Sequence, residues 1–167
     1  KQHFGPVSSK RTGKQGPVIL TFAIGGAGAQ AEIARNLLSL AELITRGKVA
    51  LRLTAGVSSR AALKFEEAVA RAGLQSQLGK GITVALARTK EEHFGVFNEM
   101  LCETDVLWTK PSELSFYAAL GIPLIIAPPV GAHEERNREW LLELGAGIDQ
   151  LDPRAAGEWL PDLIATG

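Results

Sequence analysis

The residues best suited to hold a small anionic ligand fall in four short stretches. Gly25-Gly26-Ala27-Gly28-Ala29-Gln30 leads from an apolar run into a segment of helical period. Glycines there let the main chain approach a phosphate closely, and the unpaired N–H groups and dipole of a following helix favour the anion. The same string also serves as a tight turn for close packing of helix on sheet. Thr109-Lys110-Pro111-Ser112-Glu113 sets an ammonium beside a hydroxyl and a carboxylate. Lys110 can meet a phosphate, whereas Ser112 and Glu113 are equally suited to capping a helix and complementing its dipole. The stretch 128–137, PPVGAHEERN, stiffens a strand exit with two prolines and then brings His133, Glu134 and Asn137 to a helix start. A histidine there titrates near neutrality and can donate to phosphate, although a lone histidine at a helix start is also an ordinary surface residue. The turn Ala87-Arg88-Thr89 has backbone groups available to a base.

These stretches need a scaffold, and the remaining sequence describes one. Short, mostly apolar runs without strict alternation predict strands at Val18–Ile24, Val49–Thr54, Ile82–Ala87, Asp105–Thr109 and Leu124–Ala127. That pattern suits strands buried on both faces of a parallel sheet. Between them, Ile33, Leu37, Leu40 and Ile44 share one face of a helix over Ala31–Arg46, and Leu63, Phe65 and Val69 one over Ser58–Ala72. Further helices are expected over Glu91–Cys102, from Ser112 to Ala119, from His133 to Leu144, and after the Asp152-Pro153 cap pair. Strand and helix alternating at this spacing predict an α/β fold, a Rossmann-like doubly wound parallel sheet. In such a sheet ligands lie at the carboxyl ends of the strands, where all four stretches fall.

An NAD-type reading is tested by the end of the second strand, which should carry an acidic residue for the adenosine ribose. That strand ends Leu53-Thr54-Ala55-Gly56, and the next carboxylate is Glu66, inside a helix. Dinucleotide binding is disfavoured on that ground.

Composition narrows the partners. The 167 residues balance 18 Lys+Arg against 18 Asp+Glu, so the chain lacks the broad positive field that nucleic acid or an anionic membrane surface requires. With 46% hydrophobic and 22% charged residues, a packed interior is expected. Cys102, the one cysteine, cannot form an internal disulfide, which favours a reducing, cytoplasmic setting. The longest apolar stretch, Pro123 to Val130, is too short to span a bilayer and holds three prolines. Residues 1–16 are basic, glycine-containing and aperiodic and read as a linker, with a single domain over 17–167. That linker-like start and the abrupt end at Thr166-Gly167 suggest a domain excised from a longer chain.

The glycine-rich turn, together with DVLWTKPSELSFYAALGIPLIIAPPVGAHEERNREWLLELGAG over residues 105–147, resembles the C-terminal, donor-binding domain of GT-B glycosyltransferases. The nearest likeness is the group of peptidoglycan N-acetylglucosaminyltransferases and galactolipid synthases. Gly121-Ile122-Pro123 matches that group's Gly-x-Pro, and Asn137 lies eight residues before Gly145, as the group's Asn does before its Gly. The resemblance implies half of a hexosyl or N-acetylhexosaminyl transferase that binds a nucleoside-diphosphate sugar, UDP-sugar above all, as substrate. It implies no metal or other cofactor. Gly25, Gly26 and Gly28 would form the diphosphate loop. Backbone atoms near Ala87 and Arg88 would read the base, Lys110 and Ser112 would border the donor, and His133 and Glu134 would face sugar or phosphate. The catalytic base and the acceptor site would lie in a preceding domain or separate subunit, through which any peripheral membrane contact would run, so the chain alone is expected to be inactive. Where the group places a ribose-binding Glu, five residues before the Gly of Gly-x-Pro, this chain has Phe116. Glu113, one helical turn earlier on the same face, is expected to supply that carboxylate. A nucleotide-sugar hydrolase or 2-epimerase shares the same donor half, and Phe116 also suits a non-catalytic GT-B-like interaction module.

Overall fold

In the computed structural model, which describes residues 16–23, 37–111, 114–129 and 131–166, the first strand runs from the chain's first β-branched run. This strand, β1 (Val18–Ala23), pairs in parallel with β2 (Val49–Thr54) on one side and β4 (Val106–Thr109) on the other. β3 (Ile82–Ala85) adds to β2, β5 (Leu124–Ile126) to β4, and β6 (Gly147–Asp149) to β5. The sheet is wholly parallel, in the order β3-β2-β1-β4-β5-β6. The chain winds outward from β1 to β3, then returns to lay β4 against the far side of β1. The direction of winding therefore reverses between β1 and β4, the position at which ligands bind in sheets of this kind.

Alternation along the strands builds two cores. Leu20, Phe22, Leu51, Leu53, Val106 and Trp108 face one layer, formed by α1 (Ala41–Thr45), α2 (Ser59–Arg71) and α6 (Ala156–Thr166). Leu107, Leu124 and Ile126 face the other, which includes α3 (Lys90–Glu103), α4 (Leu114–Ala119) and α5 (Ala132–Glu143). Both faces of β4 are buried, which is why its sequence is a continuous apolar run rather than an alternating one. Trp108 sits fully buried between Phe22 and Trp159, with ring centroids 6.2 and 5.4 Å away. Its indole N–H donates to the Gln150 side-chain oxygen at 2.9 Å, so the one polar atom of that ring is satisfied inside the core.

Helix starts follow local chemistry. The Ser58 hydroxyl accepts from the Ala61 N–H at 3.3 Å, and Thr89 accepts from the Glu92 N–H at 3.1 Å. Two departures from the sequence expectations stand out. The segment expected as one helix over Ala31–Arg46 enters the described region as a 3-10 turn at Leu37–Leu40 before α1. That turn is pressed against the Pro153–Ala155 turn and the start of α6: Ser39 donates to the Pro153 carbonyl, and a Cβ on Gly157 would sit 3.0 Å from the Ser39 carbonyl. The second departure is β6, a strand that the sequence pattern does not predict. Gly147 pairs with Leu124, and a Cβ there would lie 2.8 Å from the Leu124 carbonyl, so the close approach of β6 needs glycine.

Candidate functional site

Because every strand runs the same way, the connections that follow them emerge along one edge of the sheet. The chain leaves β1 at Ala23 into the glycine-rich sequence; Gly25, Gly26 and Gly28 lie outside the described residues, as do Ser112 and Glu113. The remaining residues singled out in the sequence all fall on this edge. Ala87 and Arg88 follow β3, Lys110 follows β4, and His133, Glu134 and Asn137 open α5 after β5.

Their surroundings differ. Arg88 and His133 are exposed, Lys110 and Asn137 half-buried, and Glu134 only 7% exposed. Asn137 serves a definite structural role, because its amide donates to the Pro111 carbonyl at 2.9 Å and ties α5 to the connection carrying Lys110. Behind it, Arg138 grips Asp149 at the end of β6 through both Nε and Nη2, and also bonds Glu135 at 2.7 Å. Those partners hold the Arg138 guanidinium above its ordinary pKa, chiefly through the hydrogen bonds to Asp149. The α5 entrance is thereby fixed to both neighbouring connections, which keeps His133 and Lys110 on one rim.

The other half of the rim lies beyond β1. The Ala55 N–H donates to the Ala85 carbonyl at 2.8 Å and the Ala87 N–H to the Gly56 carbonyl at 2.9 Å, joining the connections after β2 and β3. Three strand spacings separate β3 from β4, about 14 Å. The edge thus offers a track of roughly nucleotide length, with cationic groups at Arg88 and Lys110 and the His133 imidazole beyond them. Two flanking side chains carry no mark in the sequence: Val57 and Leu86, 46% and 44% exposed on the joined connections. Leu86 looks like an ordinary member of an apolar run and Val57 like a turn residue between Gly56 and Ser58, and the parallel pairing of β2 with β3 brings both connections to this rim. Phe116, in the first turns of α4, is 54% exposed and meets the buried Tyr117 edge-on at 5.6 Å. Its ring has no acceptor for a ribose hydroxyl. Among the described residues no three His, Cys, Asp or Glu side chains converge as metal ligands, and no helix is long and apolar enough to cross a membrane.

Among solved structures, a glycosyltransferase from Rickettsia africae ESF-5 matches with a TM-score of 0.58 and 13% identity, over 92% of this chain and 38% of that one. The present chain therefore spans well under half of that enzyme. The molybdenum cofactor carrier protein MCP from Chlamydomonas reinhardtii matches with a TM-score of 0.52 and 17% identity, over 89% of this chain and 99% of that one. The UDP-GlcNAc 2-epimerase from Methanocaldococcus jannaschii matches with a TM-score of 0.49 and 14% identity, over 90% of this chain and 46% of that one. The first of these likenesses fits the GT-B-like, Rossmann-like fold. No curated protein matches the sequence. Residues 60–156, which include the connections after β3, β4 and β5, match the model of a family described as a domain of unknown function, DUF6938, and the chain belongs to that family.

Proposed function

We propose that the chain is the donor-binding half of a glycosyltransferase-like enzyme and holds a nucleoside-diphosphate sugar across the carboxyl edge of its sheet. The observation that carries this reading is the strand order. It brings the exit of β1, where the glycine-rich sequence begins, next to the exit of β4, where Lys110 stands. A diphosphate bridging these two exits would meet main-chain N–H groups on one side and an ammonium on the other. Breaking the sugar–phosphate bond builds negative charge on the diphosphate, and donors aimed there lower the barrier. Lys110 and a protonated His133 are the side chains placed to do this. The resemblance points to uridine as the nucleoside, and the acceptor hydroxyl with its general base would come from another domain or subunit, in a cytoplasmic setting.

A second reading is favoured by the Chlamydomonas neighbour. That protein is a carrier, and the match takes in 99% of its length, so this fold also exists as an entire binding protein. Phe116, where a ribose-binding carboxylate is expected, suits a module that binds a different ligand or none. Calorimetric titration and thermal shift with UDP, UDP-GlcNAc, UDP-Gal, GDP-sugars and TDP-sugars separate the readings. A ligand at 100 times its dissociation constant adds about 2.7 kcal/mol of stability. Absence of any stabilisation at millimolar concentration would sink the donor-binding reading and leave the interaction module.

A further inference from the structure

We infer that the outward face of α5 is a self-association surface, through which two copies of the chain pair antiparallel about a two-fold axis at Trp140. The inference stands apart from the donor-binding reading and does not depend on a bound nucleotide. Of the three tryptophans, Trp108 is fully buried with its N–H on Gln150, and Trp159 is half-buried with its N–H on the Asp152 carbonyl at 2.9 Å. Trp140 is 44% exposed, and among the described residues its ring stacks on no other ring and its N–H makes no hydrogen bond. Leu144, four residues on and so on the neighbouring turn, is 57% exposed. Exposed apolar side chains standing together mark contact surfaces, and tryptophan is the residue most enriched at their centres. The inner side of the same helix is already committed: Leu141 is buried, Asn137 bonds Pro111, and Arg138 holds Asp149. The outer face is thus presented on a fixed support, which keeps the ordering cost of association low.

Charge decides the occupant. Arg136, Trp140 and Glu143 follow one another at i, i+4 and i+7 along one exposed stripe. Arg136 and Glu143 form no ion pair among the described residues, unlike Arg138 and Glu135 behind them. They stand about 10 Å apart along the helix axis, with Trp140 between them. A second α5 laid antiparallel across the first, Trp140 on Trp140, brings Arg136 of each copy against Glu143 of the other. A parallel arrangement would instead set arginine on arginine and glutamate on glutamate. In a two-fold interface each such contact is made twice. Leu144 then covers the stem of the second copy's Arg136 beside the paired tryptophans. Glu139 lies about 100° round the helix from Trp140, at the solvent margin of the contact. The match of this face to its own inverse selects a second copy over an unrelated partner. Because α5 has 12 residues and is about 18 Å long, the contact falls at the small end of specific interfaces, below about 1,200 Å². A weak, concentration-dependent dimer is expected.

Sedimentation equilibrium of the 167-residue chain from micromolar to millimolar concentration tests this. The expected result is a reversible monomer–dimer equilibrium, with iodide quenching of tryptophan fluorescence falling as dimer forms, because Trp140 is the exposed ring. Arg136→Glu and Glu143→Arg each oppose like charges twice and should weaken the dimer about tenfold. An equimolar mixture of those two variants restores both pairs and should associate as tightly as the parent. Trp140→Ala should abolish the dimer. All three variants alter exposed positions, so their melting temperatures at low micromolar concentration should match the parent's. A parent chain that stays monomeric at millimolar concentration overturns the inference and leaves this face to an acceptor-side partner. It is overturned equally by a dimer that survives both single charge reversals, or by a mixture that associates no better than either variant alone.

Discussion

Lys110 carries the clearest test at the level of single residues. It is half-buried at the exit of β4, beside β1, where the winding of the sheet reverses. A charge-assisted bond to phosphate is roughly twice as strong as a neutral one, so Lys110→Ala should weaken nucleoside-diphosphate binding about tenfold. Its melting temperature should stay near that of the parent, because Lys110 belongs to neither apolar core. Asn137→Ala should act differently, since it cuts the tie to Pro111 and loosens the connection that carries Lys110. We expect weaker binding together with lower stability, by about 1 kcal/mol, in a paired titration and melt. Asp152 gives a pH test unrelated to ligand. Side-chain and backbone hydrogen bonds from Arg154 pull its carboxyl from an ordinary 3.8 down to about 2. A depressed folded-state pKa contributes stability above the unfolded value, lost as pH falls through the folded one. The melting difference between the parent and Asp152→Asn should be full at pH 6 and shrink from about pH 3.8 toward 2; a difference constant over that range would refute it. The sequence marks Lys110 because a polar residue at a strand exit stands out from an apolar run, and Asn137 because it lies eight residues before Gly145, as the resemblance implies. It does not reveal that Asn137 reaches Pro111, a contact made across 26 positions of chain, nor that Val57 and Leu86 lie on connections joined by main-chain hydrogen bonds.

At the level of elements, legibility follows length and redundancy. β2 matches its expected limits because six consecutive apolar or β-compatible residues leave little choice, and α2 matches because Ser58 caps it and Phe65 and Val69 share its buried face, whereas Leu63, expected on that face, is exposed because it lies two positions from Phe65 on a helix. β6 is hidden because Gly147-Ile148-Asp149 carries one large apolar residue, too few for any period, and owes its pairing to β5. That dependence is testable. With Leu124's carbonyl 2.8 Å from where a Cβ would stand, Gly147→Val must push β6 away from β5 and, with it, Asp149 away from Arg138. The expected loss is about 1–3 kcal/mol of stability by denaturant unfolding, and an unchanged midpoint would show that β6 needs no close approach. The Ala31–Arg46 segment reads as one continuous helix because its apolar spacing is regular. Packing of Leu37–Leu40 against the Pro153–Ala155 turn, with Ser39 and Pro153 114 positions apart, decides the local geometry instead.

On the proposed reading, the whole molecule supplies one wall of a reaction site. The sheet edge gathers cationic groups over about 14 Å, enough to hold a diphosphate and steady the charge that grows when its bond to a sugar breaks. Displacement at the anomeric carbon also needs an acceptor hydroxyl, a base to take its proton, and cover from water on the far side. On the proposed reading these come from another domain or subunit. The matched region is 38% of the Rickettsia glycosyltransferase, so the present chain spans well under half of that protein. The 167-residue chain is accordingly expected to bind a nucleotide-sugar without transferring it. Incubation with a radiolabelled nucleotide-sugar and a panel of sugar, lipid and peptide acceptors should return the donor intact, while calorimetry on the same preparation shows heat of binding. Labelled product from the isolated chain would mean that the carboxyl edge supplies its own base, and His133 or Glu134, at the entrance of α5, would be the residues to replace first. Binding without turnover would instead place the missing chemistry outside these residues, and adding the acceptor-side partner should then restore transfer in proportion to how much donor the chain holds.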